Sequence, residues 1–268
     1  MYIALRLVKE MKSQIFITGS SGYIGSRLIK TLLDDGGYRV HALVRRGSED
    51  KLPAGCNIIY GNALDANSYK NGIPKGAVFI HLVGVPHPSP AKKDLFKSID
   101  RVSIREAVNA ASDRQVSHFI YLSVSQYPSA IMNNFQLTRA AGEALLEQSG
   151  IPSSIIRPWY VMGPGRWWPV LLKPFFWLAS LNSSWVAKAK HFDTVTIQQM
   201  ISTLMVAIKK TPAHINITKL KISGSNNIRP INCLLHSGLC LKCSNHCAIW
   251  KLKTQHIISE IFVIFVFY

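Results

Sequence analysis

A chain of 268 residues with 48% hydrophobic content is long enough for one large domain with a buried core, and its mean hydropathy of +0.14 is high. No stretch reaches the roughly 20 uninterrupted apolar residues that a spanning helix needs, so the chain is expected to be soluble or peripheral to a membrane. The net charge of +17 does not mark a nucleic-acid binder: residues 148–268 hold 13 Lys and Arg against only Asp193 and Glu260, so the excess comes from scarce acids, and no basic run alternates with aromatics along one helix face.

The opening "MYIALRLVKEMKSQ" has too short an apolar run and no small-residue cleavage site for a secretory signal, so a cytoplasmic setting is expected, with membrane contact left open. Met11 is a natural start, and residues 1–10 read as an N-terminal extension. Apolar, β-branched runs predict strands over 14–18, 39–44, 57–60, 77–83, 118–123 and 154–157. Helical patterns fall between them, over 23–33, over 94–111 with Leu95, Ile99, Val102 and Ala107 on one face, and over 131–148, where Gly150 and Pro152 mark the stop. Six strands alternating with crossover helices predict an α/β fold with a doubly wound parallel sheet. After the sixth strand, "RWWPVLLKPFFWLASL" is apolar on nearly every side, and Ile197, Met200, Ile201, Leu204 and Ile208 share a further helical face. Residues 212–268 lose the crossover pattern and read as an irregular tail, poorly packed or translated out of frame.

The first strand runs into "TGSSGYIG", with Gly19, Gly22 and Gly25 at the mouth of a helix. Each glycine answers a physical need: a tight turn, close approach of the backbone to a pyrophosphate, and tight packing of helix on strand. The helix N-terminus adds N–H groups and a partial positive charge, so Gly19, Ser20, Ser21, Gly22, Tyr23 and Ile24 are expected around a dinucleotide pyrophosphate. Strand two ends in "HALVRRGS", with no acid before Glu49 to hold a ribose 2′-hydroxyl. Arg45 and Arg46 therefore favour NADP(H) over NAD(H), unless both are ordinary solvated charges.

This glycine spacing resembles that of the extended and atypical short-chain dehydrogenases/reductases. Four more segments carry the resemblance in the same order. "YGNALDANS" at 60–68 resembles the family's G-D-x-x-D stretch beside the adenine, with Asn62 replacing the first acid and Asp65 kept. "VFIHLVG" at 78–84 resembles its fourth strand, "FQLTRAAGEALL" at 135–146 its catalytic helix, and "RPWYVMGPG" at 157–165 its segment after strand six. The likeness covers about residues 12–210 and implies a Rossmann domain over 11–165, with a small apolar substrate-side lobe over 166–211. It also implies Asn62 and Ala63 by the adenine, and Val83, Gly84, Arg139 and Pro158 toward the nicotinamide.

In the family a tyrosine acts as general acid/base, and a lysine four residues later lowers its pKa and holds the nicotinamide ribose. Against Y-x-x-x-K-x-x-A-E-x-x-L this chain keeps Glu143 and Leu146 but places Phe135 at the tyrosine and Arg139 at the lysine. Ser123 and Ser125 lie where the family carries its polarising Ser/Thr, a position where they also suit simple capping of the loop. Tyr127 and Tyr160 are alternative acids, though neither is followed four residues later by a lysine. The resemblance thus leaves two outcomes open: an oxidoreductase or epimerase homologue with a degenerate catalytic pair, or a non-catalytic sensor or assembly subunit like the nitrogen-regulator-like proteins and the accessory subunit of mitochondrial complex I.

The Trp- and Phe-rich stretch after Arg166 suits a hydrophobic small substrate or contact with a membrane surface, or else packs into the lobe core. Cys233, Cys240, Cys243 and Cys247, with His236 and His246, crowd within 15 positions, too close for two separated ligand pairs, so no metal is expected. Neither the substrate nor the oligomeric state is legible.

Overall fold

The computed structural model describes residues 12–129, 132–166, 194–210 and 216–219. Strands β1 (Ser13–Thr18), β2 (Tyr38–Val44), β3 (Asn57–Tyr60), β4 (Val78–His81), β5 (His118–Leu122) and β6 (Ser153–Arg157) form one parallel sheet in the order β3-β2-β1-β4-β5-β6. Their boundaries follow the sequence expectations closely, because each is a short apolar run bounded by turn residues. The fold is the doubly wound α/β sheet that the pattern predicts.

Side chains alternate across the sheet with a period of two. Ile15 and Ile17 of β1 face one layer, where helix α1 (Gly25–Asp35) contributes Leu28, Ile29 and Leu32. Phe16 faces the other, where helices α2 (Val102–Asp113) and α3 (Asn133–Gln148) supply Ile104, Ala107, Val108 and Leu146. The parallel register sets Phe16 beside Phe79 and Phe79 beside Phe119. The first pair is tilted with ring centroids 5.2 Å apart, and the second stacks at 4.9 Å.

Helix α4 (Ile197–Lys209) returns to the α1 layer. Its expected face, Ile197, Met200, Ile201, Leu204 and Ile208, is buried, and a capping box between Thr196 and Gln199 starts it. Just before it, β8 (Thr194–Thr196) pairs in parallel with β7 (Tyr160–Met162) as a separate two-stranded sheet.

Two observations differ from the sequence reading. The helix expected over 94–111 is interrupted by a π-helical turn, Phe96–Arg101, that leads into α2. This wider turn rotates the buried face. Phe96, Asp100, Ser103, Ile104 and Ala107 point inward, while Leu95 is exposed and Ile99 and Val102 are half-buried. A seventh strand, β9 (Asn216–Lys219), pairs in parallel with β6, inside the stretch read as an irregular tail. Its four residues, NITK, hold a single apolar side chain, Ile217, so no apolar run marks the strand in the sequence. The aromatic segment after Arg166, most of the tail and its Cys/His cluster, and residues 1–10 lie outside the described residues. Among the described residues no helix is long and apolar enough to cross a membrane.

Candidate functional site

All main-sheet strands run parallel, so the loops after β1, β2, β3, β4, β5 and β6 leave the same edge. The order reverses between β1 and β4, the switch point where doubly wound sheets receive ligands. The loop residues nominated from sequence for the dinucleotide sit at or beyond this edge. Gly19 to Ile24 follow β1, Arg45 and Arg46 follow β2, and Asn62 and Ala63 follow β3. Val83 and Gly84 follow β4, Ser123 and Ser125 follow β5, and Pro158 follows β6.

The loop after β1 admits no side chain at two of its glycines. Gly19 has φ of +75°, and a Cβ there would stand 2.8 Å from the Leu82 carbonyl carbon; at Gly25 it would overlap the Gly19 carbonyl oxygen. The backbone therefore lies directly on the β4 end. Ser20 is buried and donates to the Ile17 carbonyl at 2.7 Å, fixing the turn from below. No side chain caps α1, whose first turn holds no acid, so the helix presents a bare positive end beside the loop. This cradle fits a dinucleotide pyrophosphate. Gly25→Ala is expected to abolish the thermal stabilisation that NADPH gives to the wild-type chain; a retained shift would show that the loop does not hold the ligand.

Beside it opens a cleft of about 320 Å³ lined by Arg45, Arg46, Tyr60, Gly61 and Ser68. The Arg46 guanidinium carbon lies 4.8 Å from the centre of the Tyr60 ring, and the ring is 41% exposed. Tyr60, Gly61 and Ser68 were not singled out from sequence, although they flank the "GNALDANS" segment that was. Asn62 turns inward on its own loop: its backbone N–H donates to Ser68 Oγ at 2.9 Å and its Oδ1 accepts from the Leu64 N–H at 3.1 Å. Asp65 caps a short 3₁₀ turn by accepting from the Asn67 N–H. Ala63 packs against the core.

On α3, Phe135 is buried against Phe96, with ring centroids 5.1 Å apart. Arg139 is buried too. Its Nη2 lies 2.6 Å from Asp100 Oδ1, and its Nη1 donates to the carbonyls of Leu122 at 3.1 Å and Val83 at 3.3 Å. Asp100 is 1% exposed and its other oxygen accepts from the Val85 N–H. Burial raises the Asp100 carboxyl above the usual carboxylate range, against the pull of Arg139 and the Val85 N–H. A Cβ on Gly84 would overlap the Arg139 guanidinium, so this glycine makes room for the cation.

The serines are engaged as well. Ser123 is buried and donates to Glu143, which is paired with Arg157 through its Nε at 2.9 Å and its Nη2. Ser125 Oγ accepts from the Tyr127 N–H at 3.4 Å. Gln136 donates to the Ser125 and Tyr127 carbonyls at 2.8 and 2.6 Å. One signal for Asp100 stood in the sequence: it lies four residues after Phe96 and four before Ile104, an acid on an apolar stripe. Among the described residues no three His, Cys, Asp or Glu side chains gather closely enough to hold a metal ion.

Residues 19–164 match the NAD(P)H-binding family. The chain belongs to that family. Curated relatives of this NAD(P)H-binding protein include a ceramide reductase of Caulobacter vibrioides, 26% identical over 161 residues covering 59% of this chain and 50% of the relative. A UDP-glucose 4-epimerase of Vibrio cholerae is 23% identical over 181 residues, covering 59% and 54%. The chain spans about half the length of these curated relatives. Among solved structures, the UDP-glucuronic acid 4-epimerase of Bacillus cereus in complex with NAD superposes with a TM-score of 0.58 at 18% identity, covering 78% of this chain and 77% of that one. The fold is therefore the Rossmann fold of the short-chain dehydrogenase/reductase and epimerase group.

Proposed function

We propose that this NAD(P)H-binding protein takes NADP(H) and holds it without the tyrosine-dependent turnover of its relatives, as a dinucleotide sensor or assembly subunit. The loop from Gly19 to Ile24, with Ser20, Ser21, Gly22 and Tyr23, would hold the pyrophosphate. Arg45 and Arg46 would hold the 2′-phosphate, Asn62 and Ala63 would border the adenine, and Val83, Gly84 and Pro158 would lie toward the nicotinamide. A bound nicotinamide would supply or accept a hydride, and the accompanying proton would need a donor in the first case and an acceptor in the second.

The observation that carries this reading is the state of α3. Phe135 has no ionisable group, and Arg139, too basic to shuttle protons at neutral pH, is committed to Asp100. Loss of a positioned acid or base forfeits about 10² to 10⁴ in rate.

NADPH is expected to raise the melting temperature well above NADH at equal concentration, and Arg45→Glu with Arg46→Glu is expected to erase that difference. A ligand at about a hundred times its Kd stabilises by about 2.7 kcal/mol, enough to resolve the comparison. Equal shifts with NADH would overturn the NADP(H) preference.

A second reading rests on the names of the curated relatives, a reductase and an epimerase. It holds that another acid serves in place of Phe135 and that the apolar segment after Arg166 receives a hydrophobic substrate. Steady oxidation of NADPH by the wild-type chain with a carbonyl lipid, or interconversion of UDP-sugars, would establish it and displace the sensor reading.

A further inference from the structure

The polar groups along the C-terminal edge of the sheet divide into two sets. On the β2 and β3 side, the Arg45 and Arg46 side chains are exposed to the cleft, and among the described residues neither takes part in an ion pair. Tyr60 offers a flat, exposed ring beneath Arg46, and the loop after β1 an uncapped helix end. On the β5 and α3 side, the nominated groups bind one another. Arg139 is spent on Asp100 and two carbonyls, Ser123 on Glu143, Gln136 on the carbonyls of Ser125 and Tyr127, and position 135 has no polar atom.

Resting on the NADP(H) reading, we infer that recognition is confined to the 2′-phosphoadenosine diphosphate half of the dinucleotide, and that the site accepts such nucleotides whether or not they carry a nicotinamide. Binding energy follows groups already aimed at the ligand, because breaking a buried pair to make a new contact costs about what the contact returns. Electrostatics leads the same way. The oxidised nicotinamide ring carries a positive charge and the reduced ring none. A lone cation at position 139 would disfavour the oxidised form, but Asp100 at 2.6 Å neutralises Arg139, so this pair adds no net charge with which to tell them apart. The site thus reports the amount of phosphorylated adenine dinucleotide and is indifferent to its redox state.

Calorimetric titration of the full chain with NADPH, NADP⁺, 2′-phospho-ADP-ribose and unphosphorylated ADP-ribose tests this. The first three are expected to bind with Kd values within about threefold of one another, and ADP-ribose at least about tenfold more weakly. Arg46→Ala is expected to weaken NADPH and 2′-phospho-ADP-ribose by the same factor. A Kd for NADPH or NADP⁺ more than about tenfold below that of 2′-phospho-ADP-ribose, or a similar gap between NADPH and NADP⁺, would overturn the inference while leaving NADP(H) binding intact. Failure of all four ligands to bind would instead remove the reading beneath it.

Discussion

Asp100→Ala is expected to destabilise the fold by about 3 to 5 kcal/mol, lowering the melting temperature by roughly 6 to 20 °C. Asp100 and Arg139 are 1% and 6% exposed, so removing the acid leaves a guanidinium in the interior with only neutral groups around it, the Leu122 and Val83 carbonyls, the Tyr121 hydroxyl and the Phe135 ring. The penalty belongs mainly to the stranded charge, because both ions lost their hydration on folding. Asp100→Leu combined with Arg139→Met is therefore expected to return to within about 1 kcal/mol of the wild type, since apolar pairs of similar size often replace buried ion pairs at little cost. Chemical denaturation of the three variants measures the coupling. A loss below about 1 kcal/mol for Asp100→Ala would show that water reaches the pair.

Acid should unfold this chain well before its carboxylates titrate, and two interior histidines are the cause. His81 lies between Thr18 Oγ1 at 2.8 Å and Ser103 Oγ at 3.4 Å, fully buried. Burial, and then the charge of Arg139, push its pKa down from 6.5 to about 3. His118 is buried beside Ser154 Oγ at 3.0 Å, and burial pushes its pKa down to about 4. Both rings stay neutral in the folded chain while the unfolded chain protonates them near pH 6.5. The unfolded state then binds more protons, so stability is lost as pH falls from 6.5 toward 4, at up to about 1.4 kcal/mol per pH unit for each histidine. The raised carboxyl of Asp100 works in the opposite sense, favouring the folded state as pH falls. His81→Asn with His118→Gln should flatten the stability profile between pH 6.5 and 4, and an unchanged slope would place the acid sensitivity elsewhere.

The residues proposed for the adenosine side could be nominated from the sequence because their parts are local. A glycine triplet needs only the turn it makes, and Arg45 and Arg46 need only to follow a strand. The strands were legible for the same reason, each being a contiguous apolar run. On the proposed nicotinamide side the register from Phe135 to Leu146 put no ionisable side chain at position 135, but did not say where Arg139 points. That depends on Asp100, which its spacing from Phe96 and Ile104 puts on a buried stripe but which meets Arg139 only in the packed fold. Ser123 likewise read as a polarising hydroxyl or a cap. Its partner Glu143 stands 20 residues away on another element, a pairing that only the packed fold creates.

The short strand β9 has a practical meaning for anyone who would divide this chain. Residues 216–219 hydrogen-bond along β6, so cutting after the last turn of α4 would strip β6 of its neighbour and turn an interior strand into an open margin. Ile155 and Ile156 of that strand are almost fully shielded, and bared amides and carbonyls beside them form a template for pairing with other chains. A shortened protein would then be expected to self-associate through that margin, and the smallest well-behaved unit extends at least through Lys219.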